Sequence, residues 1–216
     1  MAKNKQFAIL GLGRFGQSIA KTLVDNGCDV LCVDKNTDAV NEMSKYASNV
    51  TRADVADVHA MSALGLNNFD VVIIAIGENM EAGIMATLIA KEMGVQNVIT
   101  KAKNEIQKSI LQKVGADRVV LPEKDMGVRI ATSLITTNII DFISLSDKFT
   151  IAEIEPRKEW VGKSLKSSNI RAEHRLNVVA IKRNNDMIVS PKAEEIIEKD
   201  DILIIIGATA DIQKTK

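Results

Sequence analysis

The residues best able to do chemistry lie in the first third of the chain. Gly11-Leu12-Gly13-Arg14-Phe15-Gly16 has the spacing G-x-G-x-x-G, and Asp34 closes the next apolar run. Between a strand and a helix such a turn holds phosphates. Gly11 permits the tight turn, Gly13 lets a phosphate approach the backbone, and Gly16 lets the helix sit close to the sheet. The helix start supplies free N–H groups and partial positive charge. Asp34 falls where a carboxylate accepts hydrogen bonds from ribose hydroxyls, and its charge disfavours a 2′-phosphate, which makes NADP the least favoured dinucleotide. Arg14 is a cation in the first turn of a helix, a misplaced charge unless an anion binds there. Lys101, at the end of the fifth apolar run, is a second cation on the edge where ligands of such folds sit. Two cations suggest more negative charge than one pyrophosphate, and so ATP or ADP over NAD.

These residues need a sheet to position them. Apolar runs at 7–10, 30–33, 49–53, 71–76, 98–100 and 118–121 alternate with segments of helical spacing, such as Ile19, Leu23 and Val24 or Ile84, Leu88 and Ile89. Strands apolar at nearly every position are buried on both faces, as in a parallel sheet covered by helices. The fold class is α/β, a Rossmann-type doubly wound parallel sheet over residues 1–122. Pro122 ends the sixth run, and a long helix is expected to about residue 143, apolar on more than one face and therefore packed on a second body. The crossover segment is set at 123–144. Beyond it, strands at 149–154, 177–182, 187–189 and 202–206, a hairpin turn at Asn184-Asn185-Asp186 and a helix over 162–170 predict a small α+β lobe spanning 145–216.

Lysine plus arginine and aspartate plus glutamate both count 28, so the formal net charge is zero and no basic block marks a nucleic-acid partner. The longest apolar runs are too short to span a bilayer, and the first residues contain no secretory stretch, which points to a cytoplasmic protein. Cys28 and Cys32 read as small buried residues with no chemistry. A dehydrogenase needs an acid or base beside the nicotinamide. His59, in an expected helix over 57–64, and His174, in the charged and exposed run Arg171-Ala172-Glu173-His174-Arg175, have no such context. No Walker-type lysine motif is present. A sensor fits better than a catalyst, with a small NAD-linked oxidoreductase as the alternative.

Residues 7–206 resemble the RCK family of regulators of potassium conductance, in its KtrA/TrkA-type bacterial potassium-uptake gating branch. The resemblance is carried by Phe7 through Gly16, Val33-Asp34, 72–77, Gly115-Ala116-Asp117-Arg118 and Pro122-Glu123-Lys124-Asp125-Met126-Gly127. In the second lobe it is carried by Gly162-Lys163-Ser164-Leu165, 178–183, Pro191, and Asp200-Asp201 to Gly207. It implies a non-enzymatic subunit, peripheral to the inner face of the membrane. Dimers would form an octameric ring docked on a membrane potassium translocator (KtrB/TrkH-type), with ATP and ADP favouring different ring shapes. It assigns Gly11, Gly13, Phe15, Gly16, Asp34, Lys35, Ala53, Asp54, Ile76, Gly77 and Lys101 to the nucleotide site, where NADH is also possible. Arg14 would reach the terminal phosphate, and Glu123 would hold Mg2+ or another cation, although an acid at a helix start equally satisfies the dipole. Ile170, Arg171, Asn177, Val178 and Pro191 would bind cyclic di-AMP between two C-terminal lobes.

Overall fold

The computed structural model describes residues 5–135, 139–146, 148–184, 186–212 and 214. They form two compact units that divide between Lys124 and Asp125. The first is built from β1 (Gln6–Leu10), α1 (Arg14–Asp25), β2 (Asp29–Asp34), α2 (Thr37–Met43), β3 (Asn49–Arg52), α3 (Val58–Ala63), β4 (Val71–Ile74), α4 (Met80–Glu92), β5 (Asn97–Lys101), α5 (Glu105–Val114) and β6 (Arg118–Val120). A single 3-10 turn at Leu66–Asn68 precedes β4. The sheet runs β3-β2-β1-β4-β5-β6 with every pair parallel.

Alternate residues of each strand go to opposite faces, and both faces are covered. Ala8, Leu10, Val33, Val72 and Ile74 pack with Ala86 and Ile89 of α4. Ile9, Val30, Cys32 and Ile73 pack with Ala20 of α1 and Met43 of α2. Each large side chain buried this way contributes about 1.5–3 kcal/mol, which is why the central strands β1 and β4 are almost wholly apolar, whereas the edge strand β3 is polar and mostly exposed. Strand order reverses direction between β1 and β4, so a crevice opens at their carboxyl ends. Strands β3 and β4 stop at Arg52 and Ile74. Ala53, Ala75 and Ile76, expected inside strands, therefore lie in the loops over that edge.

The second unit opens with the rest of α6 (Pro122–Ile135), then β7 (Ile139–Ser144), β8 (Phe149–Ile154), α7 (Ile170–His174), β9 (Asn177–Arg183), β10 (Asp186–Val189), β11 (Ile202–Ala208) and α8 (Thr209–Ile212). Its antiparallel sheet runs β10-β9-β11-β8-β7 over a core that includes Trp160, Leu176, Ile181, Leu203 and Ile205. Two expectations fail here. The single helix to residue 143 stops at Ile135, with 136–138 outside the described residues, and 139–144 is instead a strand hydrogen-bonded to β8. The broad apolar surface assigned to one helix belongs to two elements. Isoleucine and phenylalanine suit the pleated sheet better than the helix.

Residues 162–170 are not a helix either. Gly162 sits at φ +80°, and Ser164 Oγ accepts from Ser167 N while Ser168 Oγ donates to the Leu165 carbonyl. Such local bonds compete with a helical ladder. The segment instead lies along 193–197, with Gly162 N on the Ile197 carbonyl (2.8 Å) and Lys166 N on that of Ala193 (2.8 Å). The expected hairpin between β9 and β10 is formed, with Asn184 at φ +54°, Asp186 as the first residue of β10, and Asn185 outside the described residues.

Candidate nucleotide site

Each glycine of the turn answers to a distinct constraint. Gly11 adopts φ +101°, and a Cβ there would stand 3.1 Å from the Ala75 carbonyl carbon. Its N–H donates to Val33 (2.8 Å), which ties the turn to β2. A Cβ on Gly16 would come within 1.9 Å of the Gly11 carbonyl oxygen, so any side chain would drive α1 off the turn. Gly13 is different: no heavy atom lies within 4 Å of where its Cβ would be. Side-chain oxygens of Asn36, Asp57, Asn79 and Asn104 cap α2, α3, α4 and α5, whereas Gly13 leaves α1 without a side-chain cap. The α1 ladder begins with Gln17 N on the Gly13 carbonyl (2.9 Å), so the N–H groups of its first turn lack an intrahelical acceptor. An anion at that end meets an uncapped helix start facing open space.

A cavity of about 740 Å³ occupies the crevice between β1 and β4. Of the expected residues, Gly11, Gly13, Asp34, Lys35, Ala53, Asp54, Ile76 and Gly77 line it. Asp34 does more than expected: Oδ2 accepts from Leu12 N (2.6 Å) and Oδ1 from Asn36 N (2.8 Å), so the carboxylate braces the glycine turn. Residues 78–82 also line the cavity and were missed. They carry the start of α4, where Asn79 accepts from Ala82 N (3.0 Å). Asparagine followed by an acid just after an apolar run is the signature that would have found this second helix start. With Asp34, Asp54, Glu78 and Glu81 against Lys35, the lining is acidic. Such a lining can accept hydrogen bonds from hydroxyl or amino groups.

Arg14, Phe15, Gly16, Lys101 and Glu123 do not line the cavity. Arg14 is exposed on the first turn of α1. Lys101 is not the free cation that the sequence suggested. Its side chain is 12% exposed and pairs with Glu123 (Nζ–Oε1 2.5 Å), 5.7 Å from the Phe15 ring. The bond from Lys101, then the backbone N–H of Glu123 itself, hold the Glu123 carboxyl below the usual range. This occupies Glu123, and no group of three or more histidine, cysteine or carboxylate side chains that could hold a metal occurs among the described residues.

In the second unit, Ile170, Arg171, Asn177, Val178 and Pro191 line one cavity of about 370 Å³, with Lys166 and Asn169 beside them. Ile170 also belongs to the core, whereas Arg171 is exposed. Nearby, Arg183 grips the buried Asp201 through two bonds (2.8 and 2.9 Å) and reaches Glu195 (3.1 Å). His174, expected to be exposed, packs edge-on against buried Trp160 with ring centroids 5.3 Å apart, and its Nε2 is buried. The turn of α7 directs it inward. His59 is exposed on α3. Burial pushes the Cys32 thiol up to about 11, which makes it inert at neutral pH.

Residues 7–122 match the TrkA-N domain family model and residues 149–216 the TrkA-C domain model. The chain is 45% identical over 210 residues to Ktr system potassium uptake protein C of Bacillus subtilis (strain 168), covering 97% of this chain and 95% of that protein. It is 42% identical to Ktr system potassium uptake protein A of the same organism, covering 98% and 96%. Among solved structures, the GsuK channel bound to NAD superposes with a TM-score of 0.67 at 16% identity, over 96% of this chain and 38% of that one, a likeness of fold. The chain belongs to the TrkA-N/TrkA-C (RCK) family of KtrA/TrkA type, which includes the Ktr potassium-uptake proteins.

Proposed function

We propose that this protein is the cytosolic, nucleotide-binding gating subunit of a bacterial potassium uptake system. The observation that carries the reading is the uncapped start of α1 at Gly13, open to a cavity of nucleotide size at the switch point of the sheet. Adenine and ribose would occupy the acidic end beside Asp34 and Asp54, and phosphates the N–H groups of α1 with Arg14 above them. No helix among the described residues is long and apolar enough to cross a membrane, so the potassium path would belong to a membrane translocator of KtrB/TrkH type. ATP and ADP would bias the ring, an octamer of four dimers, toward different shapes through their different terminal charge. The family is one of potassium-uptake proteins, and the protein is not an enzyme, although oxidoreductases share the Rossmann sheet.

A second ligand belongs to this reading. Arg171, Asn177 and the apolar Ile170, Val178 and Pro191 around one hollow supply a phosphate partner, an amide donor and acceptor, and cover for a base. A two-fold symmetric ligand such as cyclic di-AMP suits two such hollows in a dimer. The test is potassium flux in vesicles carrying the membrane subunit. ATP-loaded protein should conduct more than ADP-loaded protein, cyclic di-AMP should suppress flux, and Arg171→Ala should relieve only the suppression. Equal flux with ATP and ADP would refute the gating role, and NADH as the tightest ligand in calorimetry would refute the adenine-nucleotide switch.

A further inference from the structure

Beside the ribose end of the nucleotide cavity lies a second hollow with a charge of its own. At the carboxyl ends of β2 and β3, Lys35, Asn36, Arg52, Ala53 and Asp54 surround a depression of about 710 Å³. Lys35, Ala53 and Asp54 also line the nucleotide cavity, so the two share a wall. Arg52 stands in register with Asp34 across the β2–β3 pair, and its Nε donates to the Lys35 carbonyl (3.1 Å). That bond holds the guanidinium next to Lys35 while its other nitrogens, like the Lys35 ammonium, have no carboxylate partner among the described residues.

The acids nearby are differently placed. Both oxygens of Asp34 already accept backbone N–H groups, and Asp54 Oδ1 accepts from Ala56 N (3.0 Å). Asp34 and Asp54 keep their charge and part of their accepting capacity, but among the residues around this hollow only Arg52 and Lys35 bring cationic donors, and neither has a carboxylate partner among the described residues. In a doubly wound fold this is where the adenosine ribose sits, and an arginine there accommodates a phosphate on it. Arginine suits the task because its planar fork binds phosphate oxygens in pairs.

We propose that Arg52 and Lys35 form a subsite for a phosphate on the ribose of the bound adenine nucleotide, at its 2′ or 3′ position. The proposal rests on the nucleotide reading of the neighbouring cavity. It reverses the expectation that Asp34 excludes a 2′-phosphate: Asp34 is committed to the glycine turn and can serve the remaining free hydroxyl, while two cations meet the added dianion.

The test is calorimetric titration of the full-length protein with AMP, adenosine 2′,5′-bisphosphate and adenosine 3′,5′-bisphosphate at two salt concentrations. At least one bisphosphate should bind fivefold or more tighter than AMP, and which one it is separates the 2′ from the 3′ position. The gain should shrink at higher salt. Arg52→Gln should remove the gain and leave AMP affinity within about twofold, and Arg52→Lys should keep part of it. AMP binding with neither bisphosphate tighter would overturn the subsite alone, as would a gain that survives Arg52→Gln. Failure of AMP, ADP and both bisphosphates to bind would instead overturn the nucleotide reading, and the subsite with it.

Discussion

Gly13→Ala places a methyl group in open space, because no heavy atom lies within 4 Å of the added Cβ and the residue's φ of −68° and ψ of −178° suit any residue. The fold should tolerate it. Restricting the unfolded chain stabilises by about 0.4–1 kcal/mol, and a similar amount is lost because alanine is a poorer N-cap than glycine. Net stability should stay within about 0.5 kcal/mol. The methyl group stands where a phosphate would approach the N–H groups of α1. Loss of one hydrogen bond to a charged group costs about 1.5–3 kcal/mol, or roughly ten- to hundredfold in affinity. Gly16→Ala is the contrast: its Cβ would meet the Gly11 carbonyl oxygen at 1.9 Å. Overpacking there costs about 1–3 kcal/mol or more, against about 1 kcal/mol of gained helix propensity. Thermal unfolding and ADP calorimetry on both variants decide the matter. Gly13→Ala with a melting temperature as low as that of Gly16→Ala, or with unaltered ADP affinity, refutes the assignment of Gly13 to phosphate approach.

Glu123→Gln releases Lys101 from its ion pair, and should raise ADP affinity by up to about fivefold at low salt, the worth of an exposed pair; an unchanged titration would place Lys101 outside phosphate reach. Arg14→Ala should narrow the difference between ATP and ADP affinities measured by calorimetry, because Arg14 answers the terminal charge. Asp201→Ala should destabilise the second unit by about 1–3 kcal/mol, since it removes two bonds to Arg183 and the acceptor of Glu198 N while Glu195 and Glu198 still pair with the guanidinium, as followed by the fluorescence of Trp160, the single tryptophan. Burial alone would raise the Asp201 carboxyl, but Arg183 and the Glu198 N–H outweigh it and hold it low. Its stabilisation is therefore complete above the ordinary value of about 3.9 and lost as pH falls through the lower folded value, so Asp201→Asn should flatten the acid limb of Trp160-detected unfolding. Leu134 on α6 is 80% exposed, with Val128 and Ile130 exposed near it, so Leu134→Asp should lower the mass seen by light scattering; a wild-type monomer at micromolar concentrations would end the proposal of an interface there.

The first unit was legible because its central strands, β1, β2 and β4, are largely buried and read as nearly unbroken apolar runs. The glycine turn was legible by its spacing, and two of its glycines, Gly11 and Gly16, meet separate steric demands of the fold. Strand ends were overrun at Ala53 and at Ala75-Ile76, where the apolar run and one more cross-strand bond each (Ala53 N to the Asp34 carbonyl, Ala75 N to that of Leu10) continue beyond the last strand residue, over the cavity. The Lys101–Glu123 pair spans 22 positions and left no local signal, so each partner was given a separate ligand. The segment 162–170 has a plausible apolar spacing, but serine-to-backbone bonds and pairing with 193–197 decide its conformation, and neither is visible in periodicity. β7 escaped because Ile139, Ile140 and Ile143 continue the apolar pattern of α6, and only the partner strand reveals the change of period.

The pairing of β7 with β8 bears on how the molecule can be cut. A fragment starting at residue 145 removes five register partners from β8 and bares the N–H and C=O groups along one side of Phe149–Ile154. Such an uncovered strand, flanked by isoleucines and a phenylalanine, is a template for adding a further strand from another chain. Fragments that begin in the middle of this hairpin should precipitate or form irregular assemblies, while those that begin before Ile139 stay dispersed. The protease-resistant boundary of the second unit then falls upstream of the hairpin and not inside it.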